Sequence, residues 1–381
     1  MIHVLGLNPI KKSDFVRGEG CRLIDENEKS YLDLESGCWC ACLGHGHPRI
    51  RRVMETQIHD LIHLGTNYPN RLVEEAAAAV LGITGLDDGK CLFLSSGSEA
   101  VEFSVQAVRR ITGKSYLLTF ANSYLAAYGS AGRKSPDEWR LVDWTSSAEE
   151  EVLDGLDAIS FEDIGGFVFE PGGSGIGFVR FPPKRIVEGI ARRIRDTGGL
   201  LVANEITTGM GRTGTWFGFQ HYDIRPDLTA MGKGLGNGYP VSAIAMTAPV
   251  AEKLEKSGLY QAQSHQNDPL GCAVAKEVIA VMREERLVEK SRKSGRYFLE
   301  GLKRLKRKYP VIQEARGRGM LLGLAFDPGT PSAAADVYAA LLDRGYIVGL
   351  KAAGNLLRFD PPLIITREEI DLFLDNLEQA I

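Results

Sequence analysis

With 381 residues, 44% of them hydrophobic and 25% charged, the chain is long enough to bury a sizeable core and to divide into more than one unit. Its formal net charge of −4 gives no electrostatic attraction to nucleic acid or to an anionic membrane, and no apolar run reaches the length that crosses a bilayer. The start MIHVLGLNPIKK lacks a cationic opening and a long apolar core, and six cysteines in so long a chain suit a reducing compartment, so a cytoplasmic location is expected.

In chain order, CRLIDENEKSYLDLESG predicts two short strands around the polar turn 25–28. Cys38, Cys40 and Cys42 follow at a spacing that does not match the two-residue knuckle of zinc sites, so packing or pocket lining is expected and no metal. His45 and His47 likewise lack a carboxylate or thiol set to complete a metal site, and read as structural. From Pro48 the pattern turns to helix alternating with apolar strand. Helices are predicted over 49–64 and 71–81, then strand KCLFLSS, helix EAVEFSVQAVRRIT and strand KSYLLTF. After these come GGFVFEP, a helix over 186–195, GLLVANEI, DLTAMGKG and VSAIAMT. This alternation predicts an α/β fold with a largely parallel, doubly wound sheet. A long charged helix ending near Lys308 leads into a mixed α/β segment. Its basic run from Lys303 to Lys308 reads as a solvated face. The expected units are N-terminal strands over 1–47 that join the small domain, a large α/β domain over 48–277, and a smaller C-terminal α/β domain over 278–381.

Ligands of open α/β sheets sit at the carboxyl ends of the strands, which singles out Ser95 to Ser98, Glu170, Asn204 with Glu205, and Lys233. SSGSEAVE follows a strand and opens a helix, aiming the amides of Gly97 and Ser98 at an anion; ordinary capping by Ser96 or Ser98 explains the same residues. Lys233 lies in a glycine-rich loop, where a desolvated amine can form a Schiff base with an aldehyde and a surface cation is the commoner outcome. GMGRTG, 209–214, satisfies G-x-G-x-x-G formally. The aromatic stretch after it ends in Pro226, however, so the helix that would hold a dinucleotide pyrophosphate is missing.

The ordered set resembles the class III aminotransferases of the fold type I pyridoxal 5'-phosphate enzymes. The resemblance is carried by LIDENEKSYLDLESG, LGHGHPRI, SSGSEAVEFSVQAVR, FEP, ANEITTGMGRTG, PDLTAMGKGLGNGYPVSAIA, SHQNDPLGCAVA, RGRGMLLG and LLRFDPPLIIT, in family order over nearly the whole length. It implies a mostly parallel seven-stranded sheet in the large domain, pyridoxal 5'-phosphate as cofactor, and Lys233 as the Schiff-base lysine and proton carrier. It further implies that Gly97 and Ser98 bind the cofactor phosphate together with Ser264, which would reach across a homodimer with shared sites. Tyr124 would stack on the ring, Ile206 would pack on its other face, and Thr207 would lie near the ring hydroxyl. Arg358 would grip a substrate carboxylate and Trp39 would line the substrate pocket. The implied small molecules are an amino donor and a keto acid.

Three departures bear on the reaction. Asn204 stands where the family has aspartate, so the charge that keeps the ring nitrogen protonated is missing unless Glu205 turns inward. Gly175 stands where a second glutamate neutralises the arginine in some members, which leaves Arg358 always available or uncompensated. Tyr124-Leu125-Ala126 replaces the usual Tyr-His-Gly, and the short run from there to Glu170 suggests trimmed loops and a more open or differently shaped pocket. Amino-group transfer is the expected reaction. A racemase or aminomutase, suggested by Asn204, and a degenerate cofactor-binding homologue are the alternatives.

Overall fold

The computed structural model describes residues 5–7, 10–12, 14–173, 177–330 and 333–381. Its strands in chain order are β1 Phe15–Glu19, β2 Arg22–Asp25, β3 Ser30–Asp33, β4 Lys90–Leu94, β5 Tyr116–Phe120, β6 Trp139–Val142, β7 Ile164–Phe169 and β8 Leu200–Asn204. There follow β9 Leu228–Met231, β10 Ser242–Met246, β11 Ile312–Arg318, β12 Leu321–Phe326, β13 Tyr346–Ile347, β14 Gly349–Lys351 and β15 Leu356–Phe359. Seven of them form the central sheet in the order β4-β10-β9-β8-β7-β5-β6. Only β10 runs antiparallel to its neighbours β4 and β9. The remaining pairs are parallel, as the alternating pattern predicts.

The continuous apolar runs of β7 and β8 follow from burial on both faces. Side chains alternate across a strand, and here they enter two separate cores. Phe167, Phe169, Leu201 and Ala203 pack with Ile186, Ile190 and Ile194 of the helix Lys184–Asp196. Val168 and Val202 pack with Val101, Val105 and Val108 of the helix Gly97–Thr112 on the opposite face. Each such fully buried side chain contributes about 1.5–3 kcal/mol.

The two other sheets lie outside this layer. β1, β2 and β3 are antiparallel, and β13 adds to β3 in parallel, so the N-terminal strands share a sheet with the C-terminal part of the chain. β11, β12, β15 and β14 make an antiparallel sheet.

Most predicted elements are present, with shifted ends. The helix expected over 49–64 is Pro48–Asp60, and the one expected over 71–81 runs on to Thr84, where Gly85 closes it in the left-handed region. Strand β6 was not legible: it is a four-residue edge strand with half-exposed members, too short for a period to register.

Candidate active site

The carboxyl ends of β7, β8 and β9 bring Glu170, Asn204 and Lys233 together. Lys233 follows β9 with φ +45, a strained conformation for a lysine, and opens a short 3-10 turn ending at Gly236. That loop is tied down from below: Cys42 Sγ donates to Gly234 O at 3.1 Å, while Asn237 accepts from Leu43 N at 2.7 Å and donates to Gly44 O at 3.0 Å. The middle of the cysteine-histidine segment is thus a packing wall for the lysine loop. His45 is held by Asp33 at 2.8 Å, in the structural role expected of it.

The Lys233 amine donates to Thr207 Oγ1 at 2.8 Å and sits 4.3 Å from the centre of the Trp39 ring. Burial lowers its pKa, and the nearby Glu170 opposes that only in part. Thr207 therefore contacts the amine directly. Ile206 packs between the lysine loop and the helix Gly97–Thr112: a Cβ at Gly97 would come within 2.8 Å of it, and one at Gly232 within 3.3 Å. Glycine at 97 is what lets the isoleucine reach the helix start.

At that start both readings of the serines hold. Ser96 caps the helix, accepting from Glu99 N at 3.3 Å, and Glu99 reaches back to Ser96 N at 2.7 Å. The Ser98 hydroxyl accepts from Ala127 N at 2.9 Å. The backbone amides of Gly97 and Ser98 donate to no group among the described residues, so the positive end of a sixteen-residue helix faces outward unpaired.

Register makes Glu170 and Asn204 side-by-side neighbours, because Phe169 pairs with Ala203 one step earlier. Both engage the backbone of Tyr124. Asn204 Nδ2 donates to Tyr124 O at 3.3 Å and Leu125 O at 3.4 Å, while Glu170 Oε2 accepts from Tyr124 N at 3.4 Å. Asn204 Oδ1 accepts from Ile206 N at 3.3 Å. Burial pushes the Glu170 carboxyl up to about 8, against the attraction of Lys233. Glu205 does not turn inward to replace the missing aspartate. Its carboxylate faces the opposite way, accepting from Thr208 Oγ1 and from the amides of Gly218 and Phe219, each at 2.7 Å. Burial therefore disfavours a carboxylate charge at this end of the site. The ring of Tyr124 is exposed on its outer side.

On the far side of Trp39 from Lys233 the site is built by an unusual turn. Ser36, Gly37, Cys38 and Trp39 all have positive φ, at +43, +56, +59 and +69, which makes one turn of left-handed helix. The three non-glycine residues cost about 1–2 kcal/mol each in that region. Polar contacts over-determine the turn. Asp33 Oδ1 accepts from Glu35 N at 2.8 Å and Ser36 N at 3.0 Å, and the Ser36 hydroxyl donates to Asp360 O at 2.7 Å while accepting from Arg212 at 3.0 Å. Arg212, from GMGRTG, is fully buried and also binds the carbonyls of Met320 and Pro361. The glycine loop is a structural buckle around this arginine.

The turn delivers Trp39 against Arg358, whose guanidinium carbon lies 3.9 Å from the ring centre. Arg358 is neither open nor uncompensated, contrary to the expectation from Gly175. Its Nε donates to Asp360 at 2.6 Å and its NH2 to Glu35 at 3.0 Å, and only 3% of the residue is exposed. Gly175 itself lies outside the described residues. Asp360 was legible in principle, since strand alternation puts 358 and 360 on one face. Nothing local marks Glu35, 323 residues away.

Ser264 is exposed, in a turn at 264–267. The adjacent Gln263 donates to Ser95 and Glu99 at the helix start, and His63 and His265 both bond Asp268.

The family whose sequence pattern matches the chain is aminotransferase class III, over residues 8–135 and 133–381. The chain is 32% identical over 378 residues to acetylornithine aminotransferase of Archaeoglobus fulgidus, covering 97% of this chain and 96% of that protein. It is 31% identical over 384 residues to the protein of the same name from Aquifex aeolicus, covering 98% and 97%. Among solved structures, a transaminase from the marine bacterium Virgibacillus superposes with a TM-score of 0.90 at 26% identity, covering 100% of this chain and 96% of the other.

Proposed function

On the premise that the chain belongs to the class III aminotransferases, which transfer amino groups with pyridoxal 5'-phosphate, we propose that Lys233 is the residue that holds the cofactor and moves the proton at the amine-bearing carbon. The residues present fit that group. A buried amine with a lowered pKa suits an aldehyde, and two unpaired amides at a helix start suit a phosphate. When bound, pyridoxal 5'-phosphate supplies the aldehyde that condenses with amines and a ring that draws electrons from the adjacent bonds.

The rest of the assignment concerns this chain's own groups. Gly97 and Ser98 would hold the phosphate, Ile206 and Tyr124 would flank the ring, and Asn204 would lie beside it as a neutral amide. Thr207 accepts a hydrogen bond from the Lys233 amine and so aims it. Its lowered pKa favours the neutral amine, the form that can take up a proton. Trp39 shields the space between Lys233 and Arg358 from water, and Arg358 is the carboxylate-reading group. The substrates are an amino donor and a keto acid.

A homodimer is proposed, with Ser264 joining the partner's phosphate site. Support comes from the exposed Ile58, Leu61, Ile62, Tyr68 and Tyr260 on segments near that turn. A cytoplasmic location is proposed from the six cysteines, all free. No described helix is long and apolar enough to cross a membrane.

The observation that carries the reading is the half-buried Lys233 at the carboxyl end of β9, whose amine bonds Thr207 and no carboxylate among the described residues. Purified protein loaded with cofactor is expected to absorb in the visible, and Lys233→Ala to lose that band. An unchanged band in the variant would sink the assignment.

A further inference from the structure

Three side chains outside the lysine site converge on one another. His63 lies in the connection between the helices Pro48–Asp60 and Arg71–Thr84, and His265 lies in the turn at 264–267. Their Nδ1 atoms meet the two oxygens of a single carboxylate: His63 bonds Asp268 Oδ1 at 2.7 Å and His265 bonds Asp268 Oδ2 at 2.6 Å. The imidazole centres stand 4.8 Å apart with their planes tilted by 54°, and the three candidate ligand atoms all lie within 4.8 Å of one another. Among the described residues no other group of three histidine, cysteine or acid side chains gathers in this way.

The carboxylate is free for the histidines because the helix that follows makes no use of it. Asp268 is the N-cap of the helix Pro269–Glu284, yet its side chain caps no amide there, and Pro269 has no N–H to offer. Only Leu64 N also donates to it, weakly, at 3.4 Å. Its side chain is 12% exposed, against 45% for His63 and 59% for His265, so a fixed acid is flanked by two rings with room to turn. Neither ring bonds through Nε2 among the described residues, so the proton can sit there and leave Nδ1 as a lone-pair donor.

Two imidazoles and one carboxylate suit an ion of the zinc class, whereas calcium and magnesium take oxygen ligands. Tetrahedral bonds of about 2.0–2.1 Å hold ligand atoms about 3.3 Å apart, within reach of small rotations of the two rings. A cavity of about 170 Å³ lined by Ser95, Tyr239, His265 and Asp268 has room for water as a fourth ligand. The helix start disfavours a cation, but that effect is small beside three coordinate bonds. We propose that His63, His265 and Asp268 bind one divalent transition-metal ion of the zinc class, which pins the turn 264–267 to the connection between the two helices.

The test titrates zinc chloride calorimetrically into protein dialysed first against a chelator and then free of it. Wild type should bind one equivalent per chain, and its melting temperature should rise with zinc. His63→Gln and His265→Gln should each weaken binding at least about tenfold, and the double variant should lose the equivalent and the rise in melting temperature. Asp268→Asn keeps the shape of the acid and should also weaken binding. X-ray absorption by the bound zinc should show nitrogen and oxygen ligands with imidazole scattering and no sulfur. Lys233→Ala should bind zinc as wild type does. No saturation at millimolar zinc overturns the site and leaves the three side chains a hydrogen-bonded clasp. An equivalent retained by the double variant, sulfur among the ligands, or loss of the equivalent in Lys233→Ala overturns it too, because the ion would then sit elsewhere.

Discussion

The two ends of the pocket are held by different means. Around Lys233, Asn204 and Glu170 the side chains hang from the ends of adjacent strands of one sheet, and burial shifts both ionisable groups toward their neutral forms. Around Arg358 the partners come from a strained turn and from the end of a strand more than three hundred residues away, and the buried cation is offset by paired carboxylates. The first end shows how a regular scaffold sets chemistry. The second shows how tertiary contacts can override what a motif implies for the same arginine.

The largest test of this contrast strikes the sheet end. Lys233→Ala should lower amino transfer by about 10⁴-fold, since both the covalent anchor and the base are lost, while the melting temperature moves little. Rates with a fixed amino donor, alongside circular dichroism, measure both. A variant that keeps most of its rate would remove the reason for treating this end as the reacting one.

At the other end the expected damage is to stability. Asp360→Ala leaves a buried guanidinium short of one of its two carboxylates and should cost about 3 kcal/mol in urea unfolding. A cost below about 0.5 kcal/mol would place the pair with exposed bridges and erase the contrast.

Asn204→Asp sharpens the comparison by placing a charge where the sheet end has none. The new carboxylate would face the carbonyls of Tyr124 and Leu125, now served by the amide hydrogens, beside Glu170. Cofactor-free protein should lose about 1–3 kcal/mol, read by denaturant titration. No loss would show that the amide orientation is not what satisfies those carbonyls.

A further effect is in pH dependence. The folded-state pKa of Glu170 is raised by burial from an ordinary 4.5 to about 8. Its contribution to stability is therefore full below the unfolded value and is lost as pH rises through the folded one. Glu170→Gln removes that loss, so the variant should gain on wild type in unfolding midpoint between pH 5 and pH 8. A constant difference across that range would show that the carboxyl is ionised in the folded protein.

How much was legible follows the same division. The strands around the lysine could be placed because each buried strand is an apolar run of five or six residues closed by a polar one, a pattern local enough to survive in a single sequence. That rule and the resemblance single out Lys233, Asn204, Ile206 and Thr207, which follow the carboxyl ends of β8 and β9. The left-handed turn at 36–39 was not, since SGCW contains one glycine and no local preference for positive φ. Glu205 illustrates the middle case. The sequence puts an acid beside Asn204, yet only the packing of Gly218 and Phe219 decides that it points away from the pocket.

By itself, then, the sequence determined the alternating sheet, the positions of its carboxyl ends and the lysine that one of them carries, because these depend on hydrophobic period and chain order. Tertiary structure alone decided the electrostatics of the site: which acids reach Arg358, which one turns away from Asn204, and how far Lys233 is desolvated. Charge depends on distance and burial between groups far apart in the chain, and neither is written in local pattern.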